Sequence, residues 1–122
     1  MTPPAPGSVV HKRDEHLGSV EVAEAARLCG ASSAEPLAAA FVLALRAAMA
    51  SGALPGGAIM LAHRATWFTA LREGDYRTEM RIRSVDPPRT RFQRVVIGYE
   101  TRDADGALVL EQAQEVLWPA AS

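Results

Sequence analysis

Few side chains in this sequence have acid, base or nucleophilic chemistry, and they are scattered. Glu35 stands directly before Pro36, at the expected start of an apolar helix. A carboxylate in a first helical turn sits at the positive end of the helix dipole, beside free N–H groups. There an anion is favoured, which makes Glu35 a candidate site residue. It can equally act as a cap, because Ser32 and Glu35 have capping-box spacing. His63 falls in an expected strand with Leu61 and Ala65 on its face. It is placed either to contact a reacting carbonyl or to serve as a satisfied core or interface histidine. Cys29 is the only cysteine, has no neighbouring base, and lies on an apolar helix face, so burial is expected rather than nucleophilic work. His11 and His16 flank Lys12, Arg13, Asp14 and Glu15, read as a solvated charged turn without metal-ligand spacing; no metal site is expected. Between Arg64 and Arg102 there are nine arginines against five acidic residues. Arg72, Arg89, Arg91 and Arg94 are candidates to grip phosphates or an acidic partner, since guanidinium pairs with such groups in a bidentate way. The alternative is a solvated sheet face with cross-strand ion pairs, such as Glu79 opposite an arginine.

The elements that must position these groups follow from periodicity and breakers. Residues 1–8, MTPPAPGS, read as a disordered tail, and 9–122 as one domain. A short strand is expected over Val9 to Arg13, then a short helix from Ser19 to Leu28 with Gly30 after it. A second helix opens at Ser32 or Ser33, since Pro36 is tolerated only in a first turn, and stops at Gly52. Leu37, Phe41, Leu45 and Met49 share one face, and Val42 and Leu43 make the rest apolar too. Arg46 is its one internal charge. Such a helix is expected to be buried, with its alanines against a sheet. The period then changes. Ala58 to Leu71 reads as a strand, Gly74-Asp75 as a turn, and Tyr76 to Val85 as a strand alternating between apolar and charged faces. Asp86-Pro87-Pro88 breaks it, Arg91 to Arg102 forms another, and Asp105-Gly106 is a hairpin signal leading into Ala107 to Trp118. Helices followed by a meander of antiparallel strands make an α+β layer arrangement.

Composition excludes several classes of function. The net charge of −1 gives no field for nucleic acid. The longest apolar run, Leu37 to Leu45, is far short of the roughly 20 residues a bilayer span needs. Met1 to Ser8 lacks the features of a signal peptide. One cysteine excludes an internal disulfide, so a reducing, cytoplasmic setting is the expectation.

Read in order, Thr66-Trp67-Phe68-Thr69-Ala70-Leu71-Arg72-Glu73-Gly74-Asp75, the alternating strand to Val85, the Asp103-Ala104-Asp105-Gly106 hairpin and the strand to Pro119 resemble the MaoC-like dehydratases and (R)-specific enoyl-CoA hydratases. Ala25-Ala26-Arg27-Leu28-Cys29-Gly30 is similar to the short helix ahead of that family's active-site loop. The likeness runs from about Val20 to Pro119. It implies a hotdog fold, in which a long antiparallel sheet wraps one buried central helix. It further implies dimers, homomeric or with another hotdog subunit, and acyl-CoA or acyl carrier protein as partner. Coenzyme A or a carrier thioester would then be substrate or ligand, with no other cofactor. The family's hydratases use an Asp and a His in a Gly-Asp-x-Asn-Pro-x-His pattern. Here the matching stretch runs Gly30-Ala31-Ser32-Ser33-Ala34-Glu35-Pro36. Ala31 stands at the Asp position and Pro36 at the His position, and neither can transfer a proton. The resemblance thus implies a degenerate or partner subunit that binds acyl thioesters without the usual chemistry. The alternative is an acyl-CoA thioesterase using Glu35, with His63 assisting.

Overall fold

The computed structural model describes residues 2–18, 37–70, 72–89 and 91–119, with the backbone alone for 37–42. The expected helix over Ser19 to Leu28 and the whole stretch from Gly30 to Pro36 lie outside these residues. The elements are β1 (Val9–Leu17), α1 (Leu37–Ser51), β2 (Ile59–Trp67), β3 (Gly74–Val85), β4 (Phe92–Asp103) and β5 (Leu108–Pro119). The five strands form one sheet in the order β1-β3-β4-β5-β2, every neighbouring pair antiparallel. The sheet wraps α1, as the α+β reading expects. β1 runs four residues beyond its expected end at Arg13, because the charged segment to Leu17 pairs with the start of β3.

Alternation places Tyr76, Thr78, Met80 and Ile82 of β3 on the inner face with Val95, Ile97, Tyr99 and Thr101 of β4. The same face carries Leu110, Gln112, Gln114, Val116 and Trp118 of β5. The main core packs Ala44, Ala47 and Ala48 of α1 against Met80, Ile82, Val95, Ile97, Tyr99, Val116 and Trp118. Bulges in β1, β2 and β3 interrupt the pairing register, and bulges bend strands and increase twist.

The helix face needs a correction. Leu43, Ala44, Ala47 and Ala48 are buried, whereas Leu45 is 41% and Met49 74% exposed. The helix is covered on one side in the single chain, not on all sides. Small side chains let it lie close to the sheet; the larger Leu45 and Met49 are turned away. Its one internal charge, Arg46, meets Glu15 on the inner side of β1.

The tail reading also changes at its end. The Gly7 N–H donates to the Ile82 carbonyl at 2.8 Å, and the Ile82 N–H donates to Ser8 at 3.0 Å. The chain ahead of β1 therefore meets β3 where the Arg83 bulge begins.

The outer face is charged and paired. Arg77 holds Asp14 through two bonds of 2.6 and 3.1 Å, which lower the Asp14 carboxyl pKa. Arg83 reaches over β4 to Glu111 at 3.1 Å. It passes over Gly98, where a Cβ would lie 2.2 Å from its Nε, so glycine is what permits the crossing. Exposed pairs of this kind contribute little stability each. Asp105-Gly106 makes the expected hairpin: Gly106 has φ +82°, and Asp103 Oδ1 accepts the N–H groups of Asp105 and Ala107.

Candidate functional site

Strict alternation along β2 would set Leu61, His63 and Ala65 on one face. The bulge between Met60 and Ala62 breaks that phase. Across it, Met60 pairs with Val116, His63 with Gln114, Ala65 with Gln112 and Trp67 with Leu110, all inner-face residues of β5. Ala65 therefore shares the face of His63 as read, and Met60 takes the place of Leu61. Leu61 is 52% exposed at the bulge.

His63 faces a band of polar side chains within the core. Its Nε2 lies 2.7 Å from Gln112 Oε1. An amide oxygen only accepts, so in this arrangement the imidazole proton sits on Nε2. Beside this pair, the Tyr99 hydroxyl donates to Gln114 Oε1 at 2.9 Å, and Gln114 Nε2 approaches Met60 Sδ at 3.3 Å. Burial pushes the Tyr99 phenol above its ordinary pKa, which keeps it a donor. Thr78 and Thr101 bond each other at 2.9 Å. Gln112 and Gln114 are almost fully buried. The sequence reading missed both glutamines, because glutamine ordinarily marks a wet face. A signal was present: they share parity with Leu110, Val116 and Trp118.

The four candidate arginines divide. Arg89, Arg91 and Arg94 line one open pocket of about 690 Å³ with Asp86, Pro87, Phe92 and Leu117. Arg94 is held there by Glu115 at 2.7 Å and Asp86 at 3.4 Å, and the Glu115 bond chiefly raises its pKa. Arg89 and Arg91 have no ion-pair partner among the described residues. Arg72 lies elsewhere, in a hollow of about 250 Å³ with Glu73, Asp75 and Asp103; its backbone N–H and carbonyl bond the Tyr76 hydroxyl. Phe92, Arg94 and Leu117 belong to the outer face, opposite His63. The structure thus brings three arginines together and separates them from His63. Glu35 and Cys29, with Ala31 and Pro36, lie outside the described residues. His16 bonds Asp75 at 2.7 Å. Among the described residues no group of three His, Cys, Asp or Glu side chains is arranged to hold a metal ion. No described helix is long and apolar enough to cross a membrane.

No family model and no curated protein matches this sequence. Solved structures do match. The MaoC-like dehydratase from Rhodospirillum rubrum superposes with a TM-score of 0.77 at 15% identity, over 98% of this chain and 96% of that one. The C-terminally truncated HadBC (3R-hydroxyacyl-ACP dehydratase) complex from Mycobacterium tuberculosis matches with 0.74 at 18% identity, over 96% and 99%. An unliganded R-hydratase from Pseudomonas aeruginosa matches with 0.65 at 16% identity, over 97% and 84%. The fold is the hotdog fold, and its structural neighbours are MaoC-like dehydratases and (R)-hydratases.

Proposed function

We propose that this chain is a hotdog subunit that binds acyl thioesters as a dimer, with itself or with a second hotdog chain, and does not run the family's Asp/His water chemistry. The observation that carries the dimer is strand β2. Among the described residues it pairs with β5 alone, and its consecutive residues Ile59, Met60 and Leu61 are 48, 46 and 52% exposed. An open apolar edge invites a second sheet to continue the first. Ala31 and Pro36 at the dyad positions carry the second half of the reading. The solitary Cys29 fits a reducing, cytoplasmic compartment.

The test is crotonyl-CoA hydration by the purified dimer, alongside binding of the same thioester. Binding without turnover is the expected result; turnover comparable with an ordinary hydratase overturns the reading. Thiol release from acyl-CoA that disappears in Glu35→Ala assigns the chain to the thioesterases instead.

Arg89 and Arg91, in this reading, meet the phosphates of coenzyme A or the acidic surface of a carrier protein. The double change Arg89→Ala/Arg91→Ala is expected to weaken that partner about tenfold or more, from the loss of charge-assisted bonds. Wild-type affinity is expected to fall with added salt more steeply than that of the variant. Titration calorimetry at two ionic strengths checks it, and equal salt slopes would remove the arginines from the site.

A further inference from the structure

Buried donors without an acceptor among the described residues include Arg13 Nε on β1 and two that neighbour each other across β2 and β5. Gln112 Nε2 and Trp67 Nε1 are both shielded from solvent and have no hydrogen-bond partner among the described residues. Orphaned buried N–H groups are rare and destabilising, and leucine or phenylalanine would fill the same volume without that cost. Their placement is ordered. Ala65 pairs with Gln112 across β2 and β5, and on the inner face of β2 it stands between His63 and Trp67. Diagonal neighbours in a sheet are within reach of long and aromatic side chains. The methyl of Ala65 leaves the least bulk any chiral residue can leave between them. His63 fixes the amide: with Oε1 turned to His63 at 2.7 Å, Nε2 lies on the other side of the amide.

We infer that Trp67 Nε1 and Gln112 Nε2 form a two-donor seat for one carbonyl oxygen over Ala65. The inference rests on the proposed function, in which that oxygen belongs to the acyl thioester. A carbonyl oxygen has two lone pairs and takes two donors. Both donors are neutral, which fits a neutral carbonyl rather than a carboxylate or phosphate. The approach is from the β2 side. There the inner face is incompletely covered: Met60 is 46% exposed and His63, Ala65 and Trp67 are half-buried, while Met80, Ile82, Ile97 and Tyr99 are sealed. Trp67 and Gln112 are positioning residues here, and His63 acts through Gln112.

The experiment compares crotonyl-CoA with S-butyl-CoA, a thioether that lacks the carbonyl oxygen. Trp67→Phe keeps an aromatic ring and removes the N–H; Gln112→Met keeps length and removes the amide. Each variant is expected to bind crotonyl-CoA about tenfold more weakly, the loss of one hydrogen bond to the ligand, and S-butyl-CoA as the wild type does. Trp67→Phe is further expected to unfold at the same or higher urea concentration, since it removes an orphan donor. If both ligands weaken equally, or neither changes while wild type binds crotonyl-CoA, the seat is wrong and the proposed function stands. If wild type binds neither ligand, the proposed function falls, and the seat with it.

Discussion

Under the proposed function, Leu61→Glu is expected to convert the proposed β2-edge dimer into a monomer and to remove the proposed acyl-thioester binding with it. Leu61 is 52% exposed in the single chain and sits at the bulge of β2, one of the two edge strands of the described sheet. An added strand would cover Ile59, Met60 and Leu61 together. A carboxylate carried into that contact would lose its water without gaining a cation, a cost of several kcal/mol. The dissociation constant of the proposed dimer is therefore expected to rise by about two orders of magnitude or more. The folded monomer has little reason to suffer, because the new side chain stays in solvent there. Sedimentation velocity over a concentration series reads the effect, with circular dichroism confirming the fold. A variant that dimerises like the wild type would place the interface away from β2.

Trp118→Ala is expected to cost about 3–5 kcal/mol of stability, the usual range for deleting a large buried aromatic side chain. Trp118 is 1% exposed and lies in the main core with Val95, Ile97, Val116 and the alanines of α1. Its strand is the last described element, paired with β4 on one side and β2 on the other. The loss rivals the whole stability of a small domain, about 5–15 kcal/mol. Urea unfolding at one fixed protein concentration measures it, because the proposed dimerisation would also add to apparent stability. Phe68→Ala serves as the control: Phe68 is 56% exposed, and its removal is expected to move the midpoint little. A Trp118→Ala midpoint as mild as that control would mean the core is centred elsewhere.

Much of this architecture was legible before any coordinates. The alternation from Tyr76 to Ile82 placed β3 with the right face inward, Asp86-Pro87-Pro88 marked its C-terminal end and Asp105-Gly106 the hairpin, whereas Gly74-Asp75, read as a turn, is the paired start of β3. These features depend only on near neighbours in the chain. A φ beyond the reach of other residues at Gly106, or a missing N–H at proline, acts within a few residues. The site was less legible. The pattern singled out His63 but not Gln112, because a buried glutamine is explained only by the histidine that bonds it from another strand.

The sequence by itself determined the helical or strand period of α1, β3, β4 and β5 and the breakers between them. It also supplied an excess of arginine without saying which arginines meet. Tertiary structure alone decided that Arg89, Arg91 and Arg94 share a pocket while Arg72 stands apart. It decided that α1 buries Ala44, Ala47 and Ala48 and leaves Met49 in solvent, and that His63 has Met60 rather than Leu61 beside it. For the helix and for β2 the reason is of one kind. A helix apolar on several sides has no preferred face until a sheet of fixed curvature meets it. A strand's phase, likewise, holds only up to its first bulge, and the bulge is set by the partner strand.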